Sequence, residues 1–363
     1  MLRTARVSGS GLYLTGDLNA TTSIEVIGGA PKGCSELFFN GRKVQSSQDK
    51  YGVVTASVIY SCPSVTLPSL TDLDWKYIDS LPEIQSTYDD SAWTNADVKM
   101  SNNSVQNQTT PTSLFASDYG YNTGNLLYRG HFTATGKEST LYLETQGGTA
   151  YGASVWLNST LLGSWPGIDK DSNYNQTLTL PNLKSGQPAV FTVLIDNMGL
   201  DEDFTVGSDK MKNPRGILKY ALSGRDQSAI TWKLTGNLGG EDYQDKARGP
   251  LNEGGLYAER QGYHLPSPPT GNWKNSKPTD GITSAGVGFY TTSFNLDMPV
   301  GYDIPMSFVF TNDTATGAAV SDYRVQLYVN GYQFGKYGKL HPCSFSLILK
   351  LPSSTFVPSW QPS

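Results

Sequence analysis

Val155-Trp156-Leu157-Asn158, followed by Gly163 and Trp165, returns later in the chain as Leu327-Tyr328-Val329-Asn330, followed by Gly335 and Tyr337. In both copies a glycine stands five places, and an aromatic residue seven places, beyond the asparagine. Upstream, Gly124, Tyr128 and Phe132 are spaced by four, and Gly286, Tyr290 and Phe294 repeat that spacing. A pattern that recurs in this way marks one structural module used twice. The stretch between phenylalanine and asparagine is longer in the second copy, which places an insertion there, in the loop around Thr311 to Asp322.

The module is β. Apolar residues alternate in Leu141-Tyr142-Leu143-Glu144, Phe191-Thr192-Val193-Leu194-Ile195 and Arg324-Val325-Gln326-Leu327-Tyr328-Val329, each run bounded by Gly, Asn or Pro. A sustained helical stripe is missing, and only Ile78–Thr87 and Gly216–Ser223 fit short helices. The expected fold is all-β: a small N-terminal β domain followed by two jelly-roll β-sandwiches, the last one truncated. The expected limits are 1–67 for a partial β-sandwich, 68–215 for the first jelly roll, 216–337 for an incomplete second one, and 338–363 for a tail that leaves the pattern.

Composition agrees with short strands and tight turns. The 363 residues include 38 Gly, 20 Pro, 21 Tyr and 7 Trp, and only 16% are charged. With 27 Lys+Arg against 32 Asp+Glu the net charge is −5, without the basic stripe that nucleic acid requires. The chain also lacks an apolar run long enough to span a membrane. Cys34, Cys62 and Cys343 allow at most one disulfide, with Cys34 and Cys62 a possible pair, and none lies in a C-x-x-C motif. Six sequons, at Asn19, Asn102, Asn107, Asn158, Asn175 and Asn312, fit a glycosylated, secreted chain. Against that, Met1 to Arg6 opens without the apolar region of a signal peptide, so either the protein is cytosolic or its true start lies upstream.

Catalytic signatures are scarce. Glycoside cleavage needs two carboxyl groups across the scissile bond, and Asp201-Glu202-Asp203, Glu241-Asp242, Glu253 and Glu259 lie in glycine-rich stretches. The competing reading makes them solvated, or partners of Arg215, Arg248 and Arg260, and it is the favoured one. His131, His264 and His341 form no ligand or triad pattern, and neither metal nor cofactor is expected. Aromatic faces can stack on sugars. Trp156 and Trp165 are candidates, but the recurrence of Trp156 as Tyr328 favours packing, which leaves Tyr119, Tyr121, Phe204, Tyr257 and Tyr263.

Several longer stretches carry a resemblance: LTGDLNATTSIEVIGGAP, LDWKYIDSLPEIQSTYDDSAW, GNLLYRGHFTATG, VWLNSTLLGSWPGID, IDNMGLDEDFTVG, TWKLTGNLGGEDY and GPLNEGGLYAERQGYH. Together, from about Leu2 to Tyr337, they resemble the secreted fungal β-galactosidases of glycoside hydrolase family thirty-five. Asp89-Asp90-Ser91-Ala92-Trp93 and Leu251-Asn252-Glu253-Gly254-Gly255 are the most specific motifs. The resemblance implies a large extracellular parent whose N-terminal TIM barrel bears two catalytic glutamates and releases terminal non-reducing β-D-galactosyl residues with retention.

By the same resemblance, this chain matches the non-catalytic C-terminal half, packs on that barrel, and carries no catalytic residue. Its partners would be a β-galactoside or galactan, through the parent enzyme. Met198 to Phe204 matches a loop that places a Trp at the rim of the galactose pocket, so Phe204 is the one candidate substrate contact. Cys343, His341 and the Pro/Ser-rich end depart from the family, as does the start inside a longer polypeptide. Alternatives are a stand-alone carbohydrate-binding module and a fragment that docks on a separate barrel.

Overall fold

The computed structural model describes residues 1–28, 31–167, 173–202, 205–207, 212–237, 252–313, 323–339 and 344–350. The chain divides into two compact units. One comprises Met1–Asp74, Thr292–Ala315 and Ser344–Ser363; the other comprises Trp75–Thr291 and Thr316–Cys343.

In the first unit, β1 (Leu2–Ser8), β2 (Gly11–Gly16), β3 (Thr22–Val26), β4 (Glu36–Phe39), β5 (Arg42–Val44), β6 (Ser46–Gln48) and β7 (Val54–Val58) make two sheets. Their orders are β1-β2-β4-β5 and β3-β7-β6. Alternation sends Leu12, Leu14, Leu37 and Phe39 to one face, where they meet Ala56 with Ile24, Val26 and Val58 packed at the margin. Cys34 packs at the same margin, while Cys62 is exposed after β7 with Sγ 3.7 Å from the Pro63 carbonyl. Both thiols are free, so the Cys34–Cys62 pair considered above is not formed.

The second unit contains β8 (Lys76–Asp79), β9 (Thr94–Asn95), β10 (Gly124–Thr133), β11 (Thr140–Gln146), β12 (Gly152–Leu157), β13 (Thr160–Trp165), β14 (Tyr174–Thr179), β15 (Pro188–Asn197), β16 (Gly216–Leu222) and β17 (Thr231–Thr235). A six-stranded sheet, β13-β12-β15-β10-β17-β9, faces a three-stranded one, β14-β11-β16, and every pairing is antiparallel. Between them lies the main core, with Leu126, Tyr128, Phe132, Leu141, Leu143, Phe191, Val193, Tyr220 and Trp232. The outer face of the large sheet is covered as well. Leu127 and Trp156 pack there against Leu81, Ile84 and Trp93, so β10 is buried on both faces along most of its length, polar residues included.

Two sequence expectations fail at β16. Gly216–Ser223 is not helical: Tyr220 and Leu222 are buried while Lys219 and Ala221 are exposed, which is the period of a strand. Pairing of β16 with β11, and of β17 with β10, also carries this sandwich through Thr235, beyond the expected limit at residue 215.

A single turn of helix, α1 (Tyr257–Arg260), is followed by β18 (Lys274–Asn275) and β19 (Gly288–Thr291), which flank β8 in the order β18-β8-β19. Last come β20 (Ser307–Asp313), β21 (Tyr323–Val329), β22 (Tyr332–Lys339) and β23 (Ser344–Lys350). β20 pairs with β23 along its whole length, so part of the tail expected to leave the pattern is a strand. The insertion expected after Thr311 falls mostly outside the described residues.

The sequence repeat is a repeated hairpin. In the β12–β13 hairpin Ala153 opposes Trp165 and Leu157 opposes Thr160; in the β21–β22 hairpin Val325 opposes Tyr337 and Val329 opposes Tyr332. Both ladders carry an irregularity at the matching place. Asn158 and Asn330 turn the two hairpins at φ 49° and 51°, a left-handed conformation that asparagine tolerates better than most residues.

Candidate functional site

Two charged assemblies dominate the second unit. The first is built on the outer face of β10, where Arg129 is fully buried. Its Nη1 donates to the Tyr88 carbonyl at 2.9 Å and to Asp90 Oδ2 at 2.6 Å, and its Nη2 donates to the Gln85 carbonyl at 2.9 Å. Asp90 also meets His131 Nε2 at 2.6 Å and Lys233 Nζ at 3.3 Å. Burial alone would raise the Asp90 carboxyl; the bond and charge of His131, with the charge of Arg129, hold it below its ordinary value. This places the Asp89-Asp90-Ser91-Ala92-Trp93 motif on the sheet as a fastener.

The second assembly joins residues 252–260 to the β21–β22 hairpin. Asn252 donates from Nδ2 to the Gly331 carbonyl at 2.7 Å and accepts on Oδ1 from the Gln333 N–H at 2.8 Å, while Gln333 Oε1 accepts from the Glu253 N–H at 2.9 Å. Lys336 Nζ bridges Asp196 and Glu253, and Arg324 Nε reaches Asp196 Oδ2 at 2.7 Å. Glu259 on α1 is buried; it accepts from the Leu256 N–H at 2.8 Å and from the Tyr328 hydroxyl. Its neighbour Arg260 pairs with buried Glu83.

Burial lifts the Glu259 carboxyl from 4.5 to about 7; Glu253 adds to the rise, while the Leu256 N–H, Lys336 and Arg260 oppose it. A carboxyl raised in the folded state favours folding fully below its unfolded value, and that contribution disappears as pH climbs through the folded one. The second unit should therefore lose stability between pH 4.5 and about 7, and Glu259→Gln should flatten that slope. Urea midpoints across this range check it; parallel curves for the two proteins would refute it.

The carboxylates singled out in the sequence do not converge. Asp201 pairs with buried Arg215 at 3.1 Å, Glu253 with Lys336, and Glu259 with Tyr328, so these three are structural partners; Glu202 is exposed, and Asp203 lies outside the described residues. Glu241, Asp242 and Arg248 lie outside the described residues. Of the histidines, His131 binds Asp90, His264 is buried beside the Tyr328 ring, and His341 lies outside the described residues.

Trp156 is buried in the core, as the repeat suggested, and Trp165 stacks on Tyr174 at 4.2 Å. Tyr121 is likewise buried, Tyr119 half-buried with its hydroxyl donating to the Ser113 carbonyl, and Tyr257 packs edge-on against Tyr263. Phe204 also lies outside the described residues, but the loop leading to it is rooted: Met198 N–H donates to the Gly147 carbonyl at 2.7 Å and Arg215 Nε to the Gly199 carbonyl at 2.9 Å. From that root Met198, Leu200 and Val206 expose apolar side chains. No helix among the described residues is long and apolar enough to cross a membrane.

The β-sandwich, the repeated hairpin and their charged fasteners define an all-β protein. Residues 88–201 and 257–355 match the family described as the β-galactosidase second all-β domain, and residues 1–55 match β-galactosidase domain 3. The chain belongs to the β-galactosidase family.

Among individual relatives, β-galactosidase A of Aspergillus niger is 60% identical over 337 residues, 93% of this chain and 33% of that protein. The β-galactosidase A of a Penicillium species is 61% identical over the same shares. The chain thus spans about a third of the length of the curated relatives it matches, and it corresponds to their C-terminal third. A calcium-binding mutant of Bacteroides uniformis β-glucuronidase 2 is 13% identical over 81% of this chain and 28% of that one, with a TM-score of 0.25, too low to support an argument.

Proposed function

We propose that this chain serves as the non-catalytic C-terminal portion of a β-galactosidase that hydrolyses terminal β-D-galactosyl residues, packs against the catalytic portion, and is inactive by itself. The observation that carries this reading is 60% identity over 93% of the chain against only 33% of the relative. The exposed Met198, Leu200 and Val206 around the rooted loop supply an apolar surface suited to such packing. The family resemblance alone supports Phe204 as the substrate contact of the assembled enzyme.

The test is complementation. The purified chain should leave o-nitrophenyl β-D-galactopyranoside unchanged, and should restore turnover and copurify when coexpressed with the remaining N-terminal portion of the Aspergillus niger relative. Turnover by the chain alone, or failure of the two portions to associate, would overturn the proposal.

The same reading makes the protein secreted and glycosylated. Asn19, Asn102, Asn107 and Asn175 are exposed; Asn158 is half-buried in the β12–β13 turn, and its Oδ1 accepts from the Val190 N–H at 3.1 Å. Expression through a fungal secretory pathway should give glycan at the exposed sites and little at Asn158. Site-resolved mass spectrometry reads this directly, and full occupancy of Asn158 would refute it. Asn312 lies in β20.

A further inference from the structure

The β18-β8-β19 sheet of the second unit borders a groove of about 330 Å³, at the lower end of the size range of small-molecule sites. Two aromatic residues form part of its wall. Trp273 is wedged edge-on between Tyr263, at 5.1 Å between ring centroids, and Phe289, at 6.0 Å; Tyr77 rests against Tyr290 at 5.0 Å. The opposite lip, residues 282–287, is fastened at both ends: the Tyr290 hydroxyl donates to the Gly281 carbonyl at 2.6 Å, and the Ser80 N–H donates to the Val287 carbonyl at 2.7 Å.

Polar groups complete the lining. Asn272, Lys274 and Ser284 contribute side chains that bond to no other described residue, and Asp79 uses one carboxylate oxygen on the Leu81 N–H at 3.0 Å. The carboxylate and ammonium balance, so an ion of either sign gains little from the groove as a whole. A ligand with a flat C–H face and several hydroxyls gains from every part of the wall: the aromatic surface takes the apolar face, and amide, ammonium, carboxylate and hydroxyl groups take the ring hydroxyls.

We infer that this groove is a saccharide-binding site for one or two pyranose rings. It stands on the groove's own geometry; only the inclusion of a galactoside among the probes rests on the β-galactosidase reading.

The experiment titrates the full chain with lactose, cellobiose and maltose by calorimetry to about 50 mM, a range that covers weak specific binding. At least one disaccharide should saturate, and Trp273→Ala should weaken its binding about tenfold or more, as loss of a stacking aromatic does. Because Trp273 also packs against Tyr263 and Phe289, a double Asn272→Ala/Lys274→Ala variant, altered only at exposed side chains, tests the site without touching the aromatic wall. It too should lose severalfold in affinity. Absence of saturation by all three sugars, or saturation unchanged in both variants, would overturn the assignment and leave complementation with the catalytic portion unaffected.

Discussion

Arg129→Met should cost the second unit about 3–5 kcal/mol, the loss typical when one partner of a buried ion pair is removed. Methionine preserves much of the apolar stem but none of the three hydrogen bonds to Tyr88, Gln85 and Asp90. The two backbone carbonyls then face a dry sheet without a donor, and the Asp90 carboxylate keeps only His131 and Lys233, both more exposed than the guanidinium they would replace. Lys233→Met is the matched control; as a partly exposed partner it should cost about 1 kcal/mol or less. Trp93 and Trp156 pack on this face, so urea unfolding followed by tryptophan fluorescence reports it. A loss below about 1 kcal/mol for Arg129→Met would show that the fastener is dispensable.

Gly255→Ala should be about as damaging, at roughly 3 kcal/mol or more, since it combines backbone strain with a clash. At φ 104° the residue holds a conformation that an L side chain rarely adopts, and a Cβ there would stand 2.1 Å from the Asn125 carbonyl oxygen. Its counterpart on β10 is Gly124, at φ 82°, whose added Cβ would stand 2.1 Å from the Glu253 carbonyl oxygen. The two backbones therefore meet glycine to glycine, close enough for the Asn125 N–H to donate to the Gly254 carbonyl at 3.1 Å. Prising them apart should also free Asn252 and Glu253 from the β21–β22 hairpin. Limited proteolysis should cut residues 252–256 much faster in Gly255→Ala than in the parent, and equal rates would refute the close approach.

Much of this fold is legible in local pattern. The two asparagines at the hairpin turns determine the adjoining pairs, Leu157 with Thr160 and Val329 with Tyr332, because a two-residue turn leaves one register available; the irregularity further along each ladder then shifts the register by one, to Ala153 with Trp165 and Val325 with Tyr337. The alternation that buries Leu141 and Leu143 is equally direct.

The failures have physical causes. β16 is a short apolar run, which periodicity alone cannot separate from a helix, and only its pairing with β11 decides the matter. The limit at residue 215 failed for the same reason, since sheet membership depends on partners far away in the chain. The charged assemblies were invisible at the level of sequence. Glu259, Tyr328, Lys336 and Asp196 share no spacing, and Asp90 meets His131 only because the 85–90 segment folds over β10. Nothing in Asn252-Glu253-Gly254-Gly255 announces that its last glycine answers another on β10, although two successive glycines in a specific motif do mark a backbone approached closely.

The position of β17 bears on how the protein is made. It pairs with β10, which is synthesised about a hundred residues earlier, and it brings Trp232 to the core. While a ribosome is still short of Thr235, β10 has β15 on one side and an open edge on the other, and the segment carrying Thr94 has no strand to join. The nascent sandwich therefore waits, apolar edge outward, in need of shelter from aggregation until its ninth strand arrives.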